Sequence, residues 1–256
     1  MPTFDRRIDL AGHRVMVTGA GGGMGRDIAR TLASWGARVA VSDLAASSAE
    51  ATLKAIGDAG GDGFATALDV ADEASVEAGV EASWQAFGGL DLLVNNAGVL
   101  THGNVVDLRL EDWQFVLGVN ATGVFLVSRA AARRMIAQGS PASIVSTSSI
   151  SGKHGDAGLA HYSASKFAVV GFTQALAAEL AGHDILVNAI CPGTVETPMM
   201  ENLTADARTS VAAYLQDQLI RKAQTPADMA YAIAFLHTSR AMTGQALNID
   251  GGTVFT

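Results

Sequence analysis

An apolar run, Arg14-Val15-Met16-Val17-Thr18, stops abruptly at Gly19-Ala20-Gly21-Gly22-Gly23-Met24-Gly25 and gives way to a helical pattern. In that pattern Ile28, Ala29, Leu32, Ala33 and Trp35 are apolar, and Arg26, Asp27 and Arg30 lie between them. Strand, glycine-rich turn and helix in direct succession restrict the fold more than any other feature of the chain. Glycines allow the turn and let backbone approach a pyrophosphate. The helix that follows offers free N–H groups and a partial positive charge to that anion. A second β-like run, Ala37 to Asp43, ends in an acid 18 residues after Gly25, where a carboxylate can accept hydrogen bonds from adenosine ribose hydroxyls. No Arg or Lys follows within ten residues, the first being Lys54. A negative charge with no cation beside it repels a 2′-phosphate, so the pattern favours NAD over NADP.

The alternation continues along the chain. Strands are expected near 14–18, 37–43, 63–68, 90–94, 141–148, 184–190 and 246–249, and helices near 23–35, 47–58, 73–87, 111–137, 159–181 and 226–237. The runs at 90–94 and 184–190 are almost wholly apolar, as strands covered on both faces must be. Alternating β and α elements imply right-handed crossovers and an α/β, doubly wound sheet. The expectation is one Rossmann-type domain over 1–256, with seven mostly parallel strands in the order 3-2-1-4-5-6-7. The segment 194–222 interrupts the alternation after strand six, at the carboxyl edge where such sheets bind ligands. It is expected to form a lid over the site.

Tyr162 and Lys166 are four residues apart, a spacing that puts them on one helical face, and Ser149 lies thirteen residues upstream of the tyrosine. A phenol titrates near pH 10 and serves as a base near neutrality only where a cation stabilises its anion. The pair can therefore take a hydroxyl proton while hydride leaves carbon. Serines 146, 148 and 151 flank Ser149, and a neighbour could play its part; the spacing to Tyr162 selects Ser149.

The chain resembles the short-chain dehydrogenase/reductases, in their compact single-domain branch, from about Gly12 to Gly252. The matching motifs are Thr18 to Gly25 (TGxxxGxG), Asn95-Asn96-Ala97-Gly98 (NNAG), Asn120, Ser149 with Tyr162 and Lys166, Pro192-Gly193 with Thr197, and Asn248 to Gly252. The resemblance implies catalytic roles for Asn120, Ser149, Tyr162 and Lys166. Tyr162 would move the substrate proton, Ser149 would bind the substrate oxygen, and Lys166 would lower the phenol's pKa and hold the nicotinamide ribose. Asn120 would hold a water linking Lys166 to solvent. NAD would lie against Gly19, Gly22, Gly23, Met24, Gly25, Asp43, Leu44, Asp69, Val70, Asn96, Ala97, Gly98, Tyr162, Lys166, Pro192, Gly193, Val195 and Thr197. Family likeness further implies a homotetramer or homodimer, with the homotetramer preferred.

The substrate expected is a secondary alcohol of polyol, sugar or diol type, or its ketone. The alternatives are an NADPH-dependent ketoacyl-type carbonyl reductase and a non-catalytic dinucleotide-binding protein. Thr101, His102, His154, Asp156 and His161 fall near motif ends that should face the pocket, and Lys153-His154-Gly155-Asp156 is polar enough to hydrogen-bond a substrate. Ser149, His154 and Tyr162 are the expected substrate contacts. Apolar residues make up 49% of the chain and its mean hydropathy is +0.26, so a large core is available and some apolar surface suits burial between subunits. A net charge of −8 without a basic, aromatic-interleaved patch argues against nucleic acid. No run approaches 18 consecutive apolar residues, so no membrane span is expected. The start, Met1 to Asp9, has no apolar leader, which points to the cytoplasm. Cys191 stands alone and cannot form an internal disulfide. No spaced ligand set suggests a metal.

Overall fold

The computed structural model describes residues 8–207 and 209–256; the first seven residues of the leader reading, and Arg208 in the expected lid, lie outside them. The described residues form a seven-stranded sheet of β1 (Arg14–Thr18), β2 (Arg38–Asp43), β3 (Asp62–Ala67), β4 (Leu92–Asn95), β5 (Ala142–Thr147), β6 (Ile185–Pro192) and β7 (Ala246–Ile249). Its order is 3-2-1-4-5-6-7 and every pairing is parallel, which sharpens the expectation of a mostly parallel sheet.

Side-chain alternation along the strands builds two cores. Val15 and Val17 of β1, Val39 and Val41 of β2, and Leu92 and Val94 of β4 face one side. There they meet Ile28, Ala29 and Leu32 of α1 (Gly23–Ser34) and Met229, Ile233 and Leu236 of α9 (Pro226–Thr238). Met16, Ala40 and Leu93, one residue out of step, face the other side. They pack on Val76 and Val80 of α3 (Glu73–Phe87), Val127 and Ala131 of α5 (Gly123–Gln138), and Leu176 of α6 (Ala160–Leu180). The remaining layer elements are α2 (Ala46–Asp58) beside β2 and β3, and α4 (Leu110–Leu117).

The structure departs from the expected elements at three places. The helix expected over 111–137 is three pieces, because a π-helical turn, Gly118–Thr122, separates α4 from α5 and closes with the Gly123 N–H on the Gly118 carbonyl. The whole run Leu110–Gln138 is long and apolar enough by length and composition to cross a membrane, but over half of its most apolar window is buried within the protein. Strand β6 continues to Pro192, two residues past the expected end. The segment 194–222 folds as α7 (Pro198–Asp206) and α8 (Val211–Leu215). Its two ends are tied together, since Val195 and Gln224 form a parallel bridge and the Gln224 N–H donates to the Thr194 carbonyl over 2.9 Å.

Candidate active site

Backbone contacts that only glycine permits shape the turn after β1. Gly19 has φ +62° and a Cβ on it would lie 2.7 Å from the Ala97 Cα; one on Gly25 would lie 2.1 Å from the Gly19 carbonyl oxygen. The Asn96 side-chain amide donates to the Thr18 and Gly19 carbonyls at 3.1 and 3.2 Å, and the N–H groups of Asn96 and Ala97 donate to Thr18 Oγ1. The turn is thus locked to the end of β4. Gly22 faces open space, and no side chain caps the α1 N-terminus that it begins. Free N–H groups beside an open, Cβ-free surface fit a pyrophosphate, and the buried Asn96 Oδ1 has no partner within the protein. These residues fit a dinucleotide.

Asp43 ends β2 half-buried, its Oδ2 accepting from the Gly21 N–H at 2.8 Å and its Oδ1 from the Ala45 N–H at 3.3 Å. Leu44 next to it is exposed. Asp69 is turned onto its own loop, where Oδ1 accepts from the Ala71 N–H and its N–H donates to Ser75 Oγ. The Val70 side chain is buried against Gly123, so any cofactor contact there falls to the backbone. Gly98 lies beside both Asn120 Oδ1 and Lys166 Nζ, which a Cβ would meet at 3.3 and 3.6 Å. Beyond β6, the Gly193 N–H donates to the Ile249 carbonyl, Val195 is buried, and Thr197 caps α7 by accepting from the Met200 N–H. Together these expected cofactor residues follow the carboxyl edge of the sheet.

The four expected catalytic residues converge at that edge. Of the serines around Ser149, Ser146, Ser148 and Ser151 are buried and committed to partners: Asn95 holds Ser146, Ser148 donates to the Lys166 carbonyl, and Ser151 donates to Asp156. Ser149 alone among them stays accessible, with its hydroxyl reaching the Tyr162 phenol and accepting from the Ser151 N–H at 3.1 Å. Asn120 sits in the π-helical turn, fully buried. Its amide donates to the Val99 carbonyl at 2.9 Å and Ser165 Oγ at 3.1 Å, and its Oδ1 accepts from the Val99 N–H at 2.8 Å. These direct bonds make it a clamp between the segment after β4 and α6.

Burial pushes the Tyr162 phenol up to about 12. The hydrogen bond from Ser149 works against that rise and the Asp156 carboxylate adds to it. Burial also pushes Lys166 down to about 8. Its ammonium donates to the Thr147 carbonyl at 2.9 Å and passes 5.5 Å from the Tyr162 ring centroid. Removing both groups from water disfavours the charged form of each, and the short bond goes to a carbonyl instead of to the phenol.

On the substrate side, His154 Nδ1 lies 3.4 Å from Asp156 Oδ1, and Ser151 donates to Asp156 Oδ2 at 2.6 Å. Tyr214 of α8 packs in one cluster with Tyr162, Leu159 and Leu203. His161 is fully buried and bonded through Nε2 to Thr101 Oγ1, which makes these two structural, and His102 lies against Gly158. Two residues escaped the sequence reading. Tyr214 is the sole aromatic of the segment 194–222, a signal that was legible. Arg26 donates to the Gly21 carbonyl and to Thr52 Oγ1, and nothing in its helical spacing marks it. Among the described residues no three His, Cys, Asp or Glu converge as a metal set.

Comparison with known proteins agrees with this geometry. The family described as short chain dehydrogenase matches residues 13–208. A 3-oxoacyl-[acyl-carrier-protein] reductase of Synechocystis sp. is 37% identical over 249 residues, covering 96% of this chain and 98% of the relative. A short-chain type dehydrogenase/reductase of Mycobacterium marinum superposes with a TM-score of 0.91 at 34% identity, over 98% of both chains. An actinorhodin polyketide ketoreductase variant solved with NADPH superposes with a TM-score of 0.89 at 38% identity, over 94% of this chain and 97% of that one.

Proposed function

The chain belongs to the short-chain dehydrogenase/reductase family, oxidoreductases that use a nicotinamide dinucleotide, and from that premise we propose that it is a ketoacyl-type carbonyl reductase. The observation that carries this reading is likeness over nearly the whole chain to a 3-oxoacyl-[acyl-carrier-protein] reductase, at 37% identity, in a protein whose Ser149 and Tyr162 stand together at the carboxyl edge of the sheet. A protonated phenol there can give a proton to a carbonyl oxygen as hydride arrives at carbon. The similarity to 3-oxoacyl reductases and to a polyketide ketoreductase supports the same direction and substrate class.

A nicotinamide dinucleotide held against the glycine turn and Lys166 would supply the hydride. The residues of the chain do the rest. Ser149 donates a hydrogen bond to the substrate oxygen and stabilises the charge that develops there. Tyr162 holds the transferable proton at its hydroxyl. Asn120 fixes Val99 and α6, and so the placement of both helical residues. The lid role of α7 and α8 is supported by Leu203 and Tyr214, which pack in the Tyr162 cluster. Asp43 supports NADH as the preferred reductant, although a ketoreductase neighbour holds NADPH. Exposed Phe115, Phe125 and Phe167, on α4, α5 and α6, support self-association through that face and suit a homotetramer.

The polar stretch 153–156 favours a second reading, a dehydrogenase of polyols, sugars or diols. One assay separates the two: absorbance of NADH and NADPH is followed with 3-oxoacyl thioesters and β-keto esters, and in the reverse direction with polyols and diols. Consumption of reduced cofactor by the 3-oxo compounds, lowered about a hundredfold or more by Tyr162→Phe, is expected. Unchanged turnover in that variant would sink the enzymatic mechanism.

A further inference from the structure

Within the Ser149–Tyr162 loop, Asp156 is held more firmly than a solvated loop residue needs to be. Ser151, itself buried, donates to Oδ2 at 2.6 Å, His154 stands beside Oδ1 at 3.4 Å, and the Asp156 N–H donates to Ser163 Oγ at 3.4 Å. The Leu159 N–H donates to its carbonyl, and Leu159 packs with Tyr162 and Tyr214. The carboxylate's field reaches both phenols and raises each. Its side chain is 34% exposed, so its charge is only partly screened by solvent. The one cation on the same loop, Lys153, is engaged with the Thr256 carbonyl at 2.9 Å. His154 Nε2 is buried and has no partner in the protein, although its Nδ1 is turned to Asp156. One anion and one unpartnered ring nitrogen therefore stand together on the loop between Ser149 and Tyr162.

We propose that Asp156, positioned by Ser151 and His154, determines substrate class at this site: its charge rejects substrates that carry an acid near the reacting carbonyl and admits those that are uncharged there. The proposal rests on the carbonyl-reductase reading of the same site. It agrees with the chemistry of a 3-oxoacyl thioester, which is uncharged around its reacting carbonyl. A free 3-oxo acid would set its carboxylate against that of Asp156, and like charges in a partly desolvated site discriminate strongly.

The test compares 3-oxobutanamide with 3-oxobutanoate, which match in shape and differ in charge. Dead-end binding of each to the protein saturated with NAD+ is measured by calorimetry, and turnover with NADH is measured alongside. The wild type should bind the amide about tenfold more tightly than the acid or better, and Asp156→Asn should bring the two within about threefold. The change should fall on the ratio of the KM values for the two compounds. Ser151→Ala, which frees the carboxylate without removing it, should give an intermediate ratio. Equal affinities in the wild type, or a ratio that survives Asp156→Asn, overturn the proposal. Binding reads out without catalysis, so this failure is distinct from failure of the functional reading, which retained turnover in Tyr162→Phe would reveal.

Discussion

Lys166 sends its ammonium to the Thr147 carbonyl, 2.9 Å away, and leaves the Tyr162 hydroxyl to Ser149. The lysine is thereby fixed at the end of β5, where it can hold a ribose hydroxyl. Lys166→Met should lower activity about a hundredfold or more, with folding preserved, because an apolar chain of similar length replaces a buried charge without stranding a partner charge. Thermal unfolding and steady-state kinetics check both halves. Since burial pulls this amine down to about 8, affinity for NADH should weaken as pH rises through that value. A flat affinity from pH 7 to 9 would refute the charge's role.

Substitution can separate the bond that Asp43 makes from the role proposed for its charge. Its Oδ2 accepts from the Gly21 N–H at 2.8 Å, and the proposed preference for NADH rests on its charge. Asp43→Asn retains an oxygen for Gly21 and removes the charge. The preference for NADH over NADPH, taken as a ratio of kcat/KM values, should fall about tenfold while Tm holds. Asp43→Ala should lower both. An unaltered ratio in Asp43→Asn would rule out charge as the source of the preference.

Neighbouring glycines should fail in different ways. A Cβ at Gly25 meets the Gly19 carbonyl and the Asn96 amide at 2.1 and 2.4 Å, so Gly25→Ala should cost about 1–3 kcal/mol of stability and the cofactor site with it. At Gly22 nothing lies within 4 Å. Gly22→Ala should therefore unfold at the wild-type temperature and still bind NADH more weakly. Chemical denaturation and fluorescence titration of NADH distinguish the two outcomes.

At the opposite edge of the sheet a buried chain runs from His13 Nδ1 to His237 Nε2 at 2.9 Å and from His237 Nδ1 to Ser143 Oγ at 2.8 Å. Burial, with His13 and Arg240 nearby, pushes His237 down to about 4, and Asp91 opposes the shift. Between pH 6.5 and 4 the unfolded chain then binds the extra proton and the folded one does not. This contribution to stability is present in full above about 6.5 and is lost as pH falls through that window, on the order of 3 kcal/mol in all. Urea unfolding at pH 7.5 and 4.5 should show the loss, and His237→Gln should reduce it. The same pH slope in wild type and variant would assign the effect elsewhere.

Strand order, the glycine turn and the placement of Ser149, Tyr162 and Lys166 were legible because each is written locally: alternating burial, a Cβ-free turn, an i to i+4 spacing. The state of the phenol was not. Whether Lys166 acts on Tyr162 depends on where the Thr147 carbonyl points, and that is settled by the meeting of β5 with α6. Arg26 was invisible for a similar reason, since its partners Gly21 and Thr52 come from other elements. The reach of Asp156 to Tyr214 likewise depends on how α8 folds back, and polarity alone left His154 as the better candidate. The π-helical turn escaped because periodicity over 111–137 averages across a single extra residue.

That extra residue has a mechanical meaning. A turn closed from Gly118 to Gly123 holds one more residue than an α-helical turn, so the half of the rod beyond it is rotated by ~100° relative to an unbroken continuation. Trp113 and Phe115 on one half, and Phe125 on the other, owe their relative bearings to that offset. Excising a single amino acid between Gly118 and Thr122 would let the turn close as an ordinary α-helical one and leave both halves facing as they do now. Excising one from the α-helical part of the rod beyond it would instead turn everything downstream by that angle, carrying Arg133 into the bearing that buried Ala132 holds. Tolerance of a deletion should therefore be confined to this one turn.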